Sequence, residues 1–126
     1  MSSNIKIGFI GSGWSRIAQA PAFSLMDNVS MAAVASPTAD HRQKFMKMFD
    51  VEHGFADWRD LLQCDLDFVC VTTPPFLHKE MVEGVLRSGK GVLCEKPFAL
   101  SVADATEMAD VATRTPLLAL VDHQLR

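Results

Sequence analysis

A glutamate and a lysine stand side by side in Cys94-Glu95-Lys96-Pro97, directly after an apolar segment. An ammonium group can serve as an acid when a substrate oxygen lies close to it, and a neighbouring carboxylate can orient that ammonium or hold a hydroxyl group. On an ordinary surface, such a pair is simply solvated. The chemistry of Glu95 and Lys96 therefore depends on where the fold places them.

A second group of residues lies near the amino terminus, where an apolar run ends in Gly11-Ser12-Gly13-Trp14. A strand, a tight turn and a helix start in succession offer backbone N–H groups and the positive end of a helix dipole to a phosphate. Gly11 and Gly13 form the first half of a dinucleotide-binding fingerprint, but Arg16 occupies its third glycine position. A turn that needs glycine for backbone reasons alone is the alternative. Arg16 either faces an anion or is solvated.

Residues that follow the second apolar segment bear on cofactor choice. A carboxylate there would bind the ribose hydroxyls of NAD, but this chain has Ser36, Pro37 and Thr38, with His41 and Arg42 nearby. Two hydroxyls and a cation suit a 2′-phosphate, which favours NADP over NAD. The alternative is that Ser36 and Thr38 only cap a helix and that Arg42 is solvated.

Alternating apolar segments and helical patterns must position these residues. The predicted strands are 4–10, 30–35, 51–55, 66–72, 91–94 and 116–121, and the predicted helices are 14–26, 38 or 40 to 49, 57–62, 76–88 and 101–113. This alternation predicts one α/β domain with a doubly wound parallel sheet of the Rossmann type and helices on both faces. Ligands of such sheets bind at the carboxyl ends of the strands, so the loops after strands one, two, four, five and six are candidates.

Two helices carry specific expectations. Pro21 lies inside the first helix, where it removes one N–H donor and crowds the carbonyl four residues earlier, so we expect a kink or a restart there. Ile17 and Leu25 are predicted to face the sheet. In the second helix, Phe45 and Met48 are predicted to be core residues.

Composition excludes several classes of function. The net charge of -3 gives no excess of positive charge to attract nucleic acid or an anionic membrane. No apolar run approaches the roughly 18 residues of a membrane span, and residues 1–4 lead straight into a strand, so we expect a cytoplasmic protein. The three cysteines have neither disulfide nor zinc spacing. His41 and His53 show no metal-binding pattern, and we predict no metal site.

Three motifs together resemble the glucose-fructose oxidoreductase / inositol dehydrogenase (Gfo/Idh/MocA) family. They are the Gly-x-Gly opening, Thr72-Thr73-Pro74-Pro75-Phe76-Leu77-His78, and Gly89-Lys90-Gly91-Val92-Leu93-Cys94-Glu95-Lys96-Pro97. The resemblance covers essentially the whole chain, including the closing residues 122–126, which are similar to the segment that leaves the nucleotide domain in family members. Its most specific element is Glu95-Lys96-Pro97 after the fifth strand.

The resemblance implies a role for each motif. Gly11, Ser12, Gly13 and Trp14 would line the cofactor pyrophosphate, and Thr73, Pro74 and His78 would border the cofactor. Glu95 would lie near the nicotinamide ribose. Lys96 would polarise or protonate the substrate oxygen during hydride transfer. From the residues alone, His78 and His123 are possible acid/base partners, but a histidine at a helix start or strand end is more often structural.

The resemblance also implies a longer parent protein. Family members carry a second, mostly antiparallel α+β domain that supplies the substrate pocket, and residues 1–126 match only the NAD(P)-binding domain. A shortened chain and a naturally short protein both stay open. The implied function is oxidation or reduction of a sugar, polyol or similar compound, with a homo-oligomeric parent and a monomeric fragment that binds cofactor but is inactive. A non-catalytic nucleotide sensor is the alternative, and a methyltransferase-type domain is a more distant one.

Overall fold

One parallel sheet of six strands organises the part of the chain that the computed structural model describes, residues 4–122. The strand order is β3-β2-β1-β4-β5-β6. The strands are β1 Ile5–Ile10, β2 Val29–Ala35, β3 His53–Phe55, β4 Phe68–Val71, β5 Gly91–Glu95 and β6 Ala119–Asp122. Every neighbouring pair is parallel, so the predicted doubly wound sheet is confirmed.

Helices connect the strands on both faces of the sheet. They are α1 Ala20–Phe23, α2 Ala39–Phe49, α3 Trp58–Leu61, α4 His78–Arg87 and α5 Val102–Thr113. A π-helical turn, Ser15–Gln19, precedes α1, and a 3₁₀ turn, Pro75–Leu77, precedes α4. Two predicted caps form: Asp57 accepts a hydrogen bond from the Arg59 N–H at 2.9 Å, and Ser101 accepts one from the Asp104 N–H at 3.1 Å.

The first helix differs from its prediction. Instead of one helix over 14–26, the chain forms the π turn and then the short α1, which begins just before Pro21. Pro21 has no N–H to donate and its ring crowds the preceding turn, so the wider π turn, closed from the Ala20 N–H to the Ser15 carbonyl, relieves both problems. The altered rotation leaves Ile17 and Leu25 exposed at 64% and 85%, and their predicted burial is wrong.

Other boundaries shift by a few residues for identifiable reasons. Val51 is not part of β3, because its N–H donates to the Met46 carbonyl at the end of α2. β6 begins only at Ala119, where pairing with Val92 of β5 begins. In α2, Phe45 is buried as predicted, but Met48 is 53% exposed and is not a core residue.

Two hydrophobic clusters lie on opposite faces of the sheet. On the α1/α2 face, Phe9 contacts Phe45 with ring centroids 5.2 Å apart. On the α3/α4/α5 face, side chains of those helices, including Leu61 and Val85, pack against the other side of the sheet. β1 is the common wall of both clusters, since Phe9 faces one of them and Ile10 faces the other.

The β6 edge of the sheet is less well covered. Leu118, just before the strand, is 59% exposed and Leu120 is 47% exposed. β6 pairs with β5 on one side only.

Replacing Leu61 with alanine should lower the free energy of unfolding by about 2–5 kcal/mol, because Leu61 is fully buried and the substitution leaves a cavity. Leu25→Ala is the matched control, and its effect should stay within about 0.5 kcal/mol because Leu25 is exposed. Urea denaturation of both variants measures the difference. Equal losses would contradict the packing described here.

Candidate functional site

The carboxyl end of β1 lies where the sheet changes direction. β1 has β2 on one side and β4 on the other, and the chain proceeds outward from β1 in both directions. Loops that leave such a point diverge and open a crevice. A cavity of about 770 Å³ occupies this position, within the range of ligand-binding pockets.

Loops that follow the first four strands, together with the start of α4, form the wall of this cavity. The lining residues are Ile10, Gly11, Ser12, Gly13, Ala35, Ser36, Pro37, Thr38, His41, Ala56, Asp57, Trp58, Arg59, Thr72, Thr73, Pro74, Leu77, Glu80 and Met81. The structure therefore brings together three predicted groups, which follow β1, β2 and β4.

The glycine turn after β1 contains two glycines with different constraints. Gly11 has a φ of 101°, and a Cβ there would lie 2.7 Å from the Thr72 Oγ1. Its N–H donates to the Ala35 carbonyl at 2.9 Å, and its carbonyl accepts a hydrogen bond from the Ser15 hydroxyl at 2.7 Å. Backbone geometry alone explains this glycine.

Gly13 is different, because its φ is not left-handed and a Cβ there would meet no atom within 4 Å. Neither conformation nor packing within the described protein requires glycine at this position. A glycine is useful here if a ligand approaches the backbone closely. The alternative explanation, a turn that needs glycine for backbone reasons, therefore accounts for Gly11 and not for Gly13.

Ser36 and Thr38 do not cap α2 with their side chains. Ser36 is buried, and its hydroxyl is hydrogen-bonded to the Ser12 hydroxyl at 3.1 Å, which joins the loops after β1 and β2. Thr38 occupies the N-cap position, but its side chain makes no capping hydrogen bond. The alternative in which both residues only cap the helix is contradicted. The Thr38 hydroxyl therefore accepts no hydrogen bond from the N–H groups in the first turn of α2.

Arg42 lies behind the Ser36 loop and is not among the residues that line the cavity. Its Nη1 donates to the Ser36 carbonyl oxygen at 2.7 Å, so the guanidinium supports the loop. His41, one residue earlier, does line the cavity. Trp14 and Arg16 lie outside the lining: Trp14 is 41% exposed and Arg16 is partly buried.

His78 connects two loops. Its ring is fully buried, with Nε2 2.8 Å from the Thr73 carbonyl oxygen and Nδ1 2.9 Å from the Pro97 carbonyl oxygen. Thr73 and Pro74 line the cavity, whereas His78 stands behind them.

Glu95 and Lys96 lie at the carboxyl end of β5, one strand beyond the cavity wall. Glu95 is the last residue of the strand and is partly buried, and Lys96 is exposed. Neither belongs to the cavity lining. Just before them, burial and then the charge of Glu95 raise the pKa of the Cys94 thiol to about 12, which keeps this thiol protonated near neutral pH.

The loop after β3 is the part of the site that sequence reasoning missed. The Arg59 guanidinium lies 4.7 Å from the centre of the Trp58 ring and pairs with the Asp57 and Glu80 carboxylates. All four residues line the cavity. The position of Asp57, Trp58 and Arg59 after a predicted strand was the available signal, but the third strand was not among those selected.

Within residues 4–122, no group of three or more histidine, cysteine or acidic side chains is arranged to hold a metal ion. The helices of the same range include none long and apolar enough to cross a membrane. Residues 123–126, which carry most of the predicted closing segment, lie outside the described residues.

Comparison with protein families gives a match over nearly the whole chain. The model of an oxidoreductase family with an NAD-binding Rossmann fold, Gfo/Idh/MocA, matches residues 5–123. Glucose-6-phosphate 3-dehydrogenase of Bacillus subtilis is 33% identical over 121 residues, covering 96% of this chain and 34% of the relative. The chain spans about a third of the length of the curated relatives it matches.

Two solved structures share the fold and part of the sequence. Scyllo-inositol dehydrogenase from Lactobacillus casei, with bound NAD(H) and scyllo-inositol, has a TM-score of 0.87 and 27% identity, covering 94% of this chain and 36% of that chain. A 3-ketoreductase from Actinomadura kijaniata, in complex with TDP-benzene and NADP, has a TM-score of 0.88 and 30% identity, covering 95% and 38%.

Replacing Gly11 with alanine should reduce the free energy of unfolding by about 2 kcal/mol or more, because the new Cβ meets Thr72 and the backbone is left-handed. Gly13→Ala is the matched control and should leave the unfolding midpoint nearly unchanged, since its Cβ enters open space. Thermal unfolding without nucleotide measures both. A stable Gly11→Ala variant would contradict the turn geometry.

Proposed function

The chain belongs to the Gfo/Idh/MocA family of oxidoreductases, and we propose that it is the nucleotide-binding domain of a longer NAD(P)-dependent enzyme. That enzyme would transfer a hydride to or from a sugar, polyol or related hydroxyl or carbonyl compound. Relatives named for glucose 6-phosphate and scyllo-inositol support this substrate class.

Gly13 is the observation that carries the proposal. Its missing side chain leaves open space above the glycine turn, at the edge of a cavity between diverging loops. A pyrophosphate bound there would receive hydrogen bonds from N–H groups of the turn and of the helical segment that follows. We propose that Gly11, Ser12, Gly13 and Trp14 form this cradle, with Arg16 as a supporting cation.

The far side of the cavity suits the adenosine half of the cofactor. Thr73 and Pro74 form one wall, and the Ser36–Thr38 loop forms another. No carboxylate follows β2 directly to bind two ribose hydroxyls. Asp57 and Glu80 do line the cavity, and both pair with Arg59, which offsets part of their negative charge.

We propose a preference for NADP over NAD. A 2′-phosphate near Thr38 would meet a free hydroxyl, the uncapped first turn of α2 and the side chain of His41. Arg42 uses one nitrogen for the Ser36 carbonyl, and a guanidinium has five N–H donors in all. The Arg42 guanidinium therefore supports the Ser36 loop and adds positive charge behind it.

Lys96 is the proposed catalytic group. A bound nicotinamide would supply the hydride donor or acceptor. Exposed at the carboxyl end of β5, Lys96 would donate a hydrogen bond or a proton to the substrate oxygen, and Glu95 would hold a ribose hydroxyl or orient the ammonium. Because Lys96 does not line the cavity, the reacting end of the cofactor would have to extend along the strand ends from β4 towards β5.

The isolated chain should bind cofactor but turn over little or no substrate, because the resemblance assigns the substrate pocket to a second domain. We propose that the reading frame continues after Arg126 into a strand-rich domain, which the gene sequence would test directly. A nucleotide sensor is the competing function. Lys96 at the ligand edge favours the enzyme, since a sensor has no need of a proton donor.

Titration of the chain with NADPH and NADH should show tighter binding of NADPH. Arg42→Leu should weaken NADPH about tenfold or more and NADH much less, because it removes positive charge from behind the loop that would hold the 2′-phosphate. Arg87→Leu, at an exposed arginine of α4 that does not line the cavity, is the control. Equal weakening of both cofactors would overturn the NADP preference. Absence of binding of both at millimolar concentration would overturn the binding proposal.

In the longer enzyme, Lys96→Ala should lower kcat by about 10²–10⁴, as expected for loss of an acid–base group, and change cofactor affinity far less. Steady-state kinetics with scyllo-inositol or glucose 6-phosphate as probe substrates and NADP⁺ measures kcat and the KM for the cofactor separately. Lys47→Ala, in the last turn of α2, is the control. An unchanged kcat would remove Lys96 from the mechanism.

A further inference from the structure

The His78 ring faces two acceptors and no donor in its two closest contacts. Nδ1 lies 2.9 Å from the Pro97 carbonyl oxygen and Nε2 lies 2.8 Å from the Thr73 carbonyl oxygen. A carbonyl oxygen can only accept, so each hydrogen bond requires an N–H on the ring. A ring with one proton can make one of these bonds, and a ring with a proton on each nitrogen makes both.

Burial makes an incomplete arrangement costly. His78 is 0% exposed, so water has no access to replace a missing hydrogen bond to either ring nitrogen. At least one ring nitrogen must donate to a carbonyl, and the ring is held by its contacts with the two loops and not by solvent.

The two carbonyls belong to the loops that matter for the proposed chemistry. Thr73 lines the cavity after β4, and Pro97 directly follows Lys96 after β5. The ladder between these strands pairs residues only as far as Val71 opposite Cys94. Beyond that pair, His78 connects the two loops.

We propose that His78 is a positioning residue, whose buried ring lies between the two carbonyls and thereby fixes the loop that carries Lys96 relative to the cavity wall at Thr73. The inference rests on the proposed function only in one respect, which is that the proposed function makes Lys96 the catalytic group. His78 itself lies behind the cavity wall and would not contact substrate. It would act through the loop, by holding the lysine at a set distance from the cofactor.

Nuclear magnetic resonance of the cofactor-free 126-residue chain tests the contact of the ring with the carbonyls directly. We expect a slowly exchanging ring N–H proton on His78, because a buried ring between two carbonyls donates to at least one of them. Rapid exchange of every ring N–H would overturn the proposal. This measurement needs no variant and no nucleotide, so a failure of the chain to bind NADPH would count against the proposed function and not against this inference.

Two substitutions at His78 each keep only one of the two contacts with the loop carbonyls. The amide nitrogen of His78→Asn sits near the place of Nδ1 and can donate to Pro97, whereas that of His78→Gln sits near the place of Nε2 and can donate to Thr73. Millisecond hydrogen exchange should show about tenfold faster exchange of the Thr73 and Phe76 amides in the first variant, and of the Lys96 and Phe98 amides in the second.

Val85→Ala is the matched control for a loss of stability alone. Val85 is fully buried on the same helix, so its truncation should destabilise the domain and raise exchange in both loops alike. The crossed pattern of the asparagine and glutamine variants would support the positioning role. If the His78 variants instead raised amide exchange equally in both loops, as expected for Val85→Ala, that result would overturn the positioning role.

Discussion

The position of β1 between β2 and β4 is the constraint on which the rest of the molecule depends. Because the chain leaves β1 towards one side and returns to build the other, the loops at the carboxyl ends diverge there. Both faces of β1 are covered, so its side chains must serve two cores. The packing around β1 leaves no room for a side chain at Gly8, because a Cβ there would lie 2.7 Å from the Leu66 side chain. The divergence of the loops opens the cavity, and the packing of β1 against both cores fixes its position.

Hydrogen bonds between side chains and loop carbonyls convert this crevice into a defined site. Ser12 and Ser36 join the loops after β1 and β2, Arg42 supports the Ser36 loop, and His78 joins the loops after β4 and β5. These bonds hold loop residues that lie beyond the ends of the strand ladder. The walls are therefore positioned before any ligand arrives, which reduces the entropy lost on binding.

Most of the fold could be predicted from the sequence, because buried parallel strands are apolar runs and the helix caps are local. In the first helix the expected restart at Pro21 occurs, but the π turn before it was not predicted, and Ile17 and Leu25 are exposed instead of buried. The hydrogen-bond partners of individual side chains could not be predicted from the sequence either. Thr38 stands where a cap belongs and does not cap, and the buried pair of Ser12 and Ser36 joins residues that are distant in sequence. Trp58 and Arg59 were missed because their helix was considered only for its packing.

The exposed edge at β6 has a consequence for handling the chain by itself. One side of this strand presents N–H and C=O groups without a neighbouring strand in the described sheet, and Leu120 is half-exposed on it. Such an edge is a template on which another strand can add, and natural proteins usually protect it with charge, proline or a covering element. When the isolated chain self-associates at high concentration, we expect contact at this edge of the sheet, far from the glycine turn.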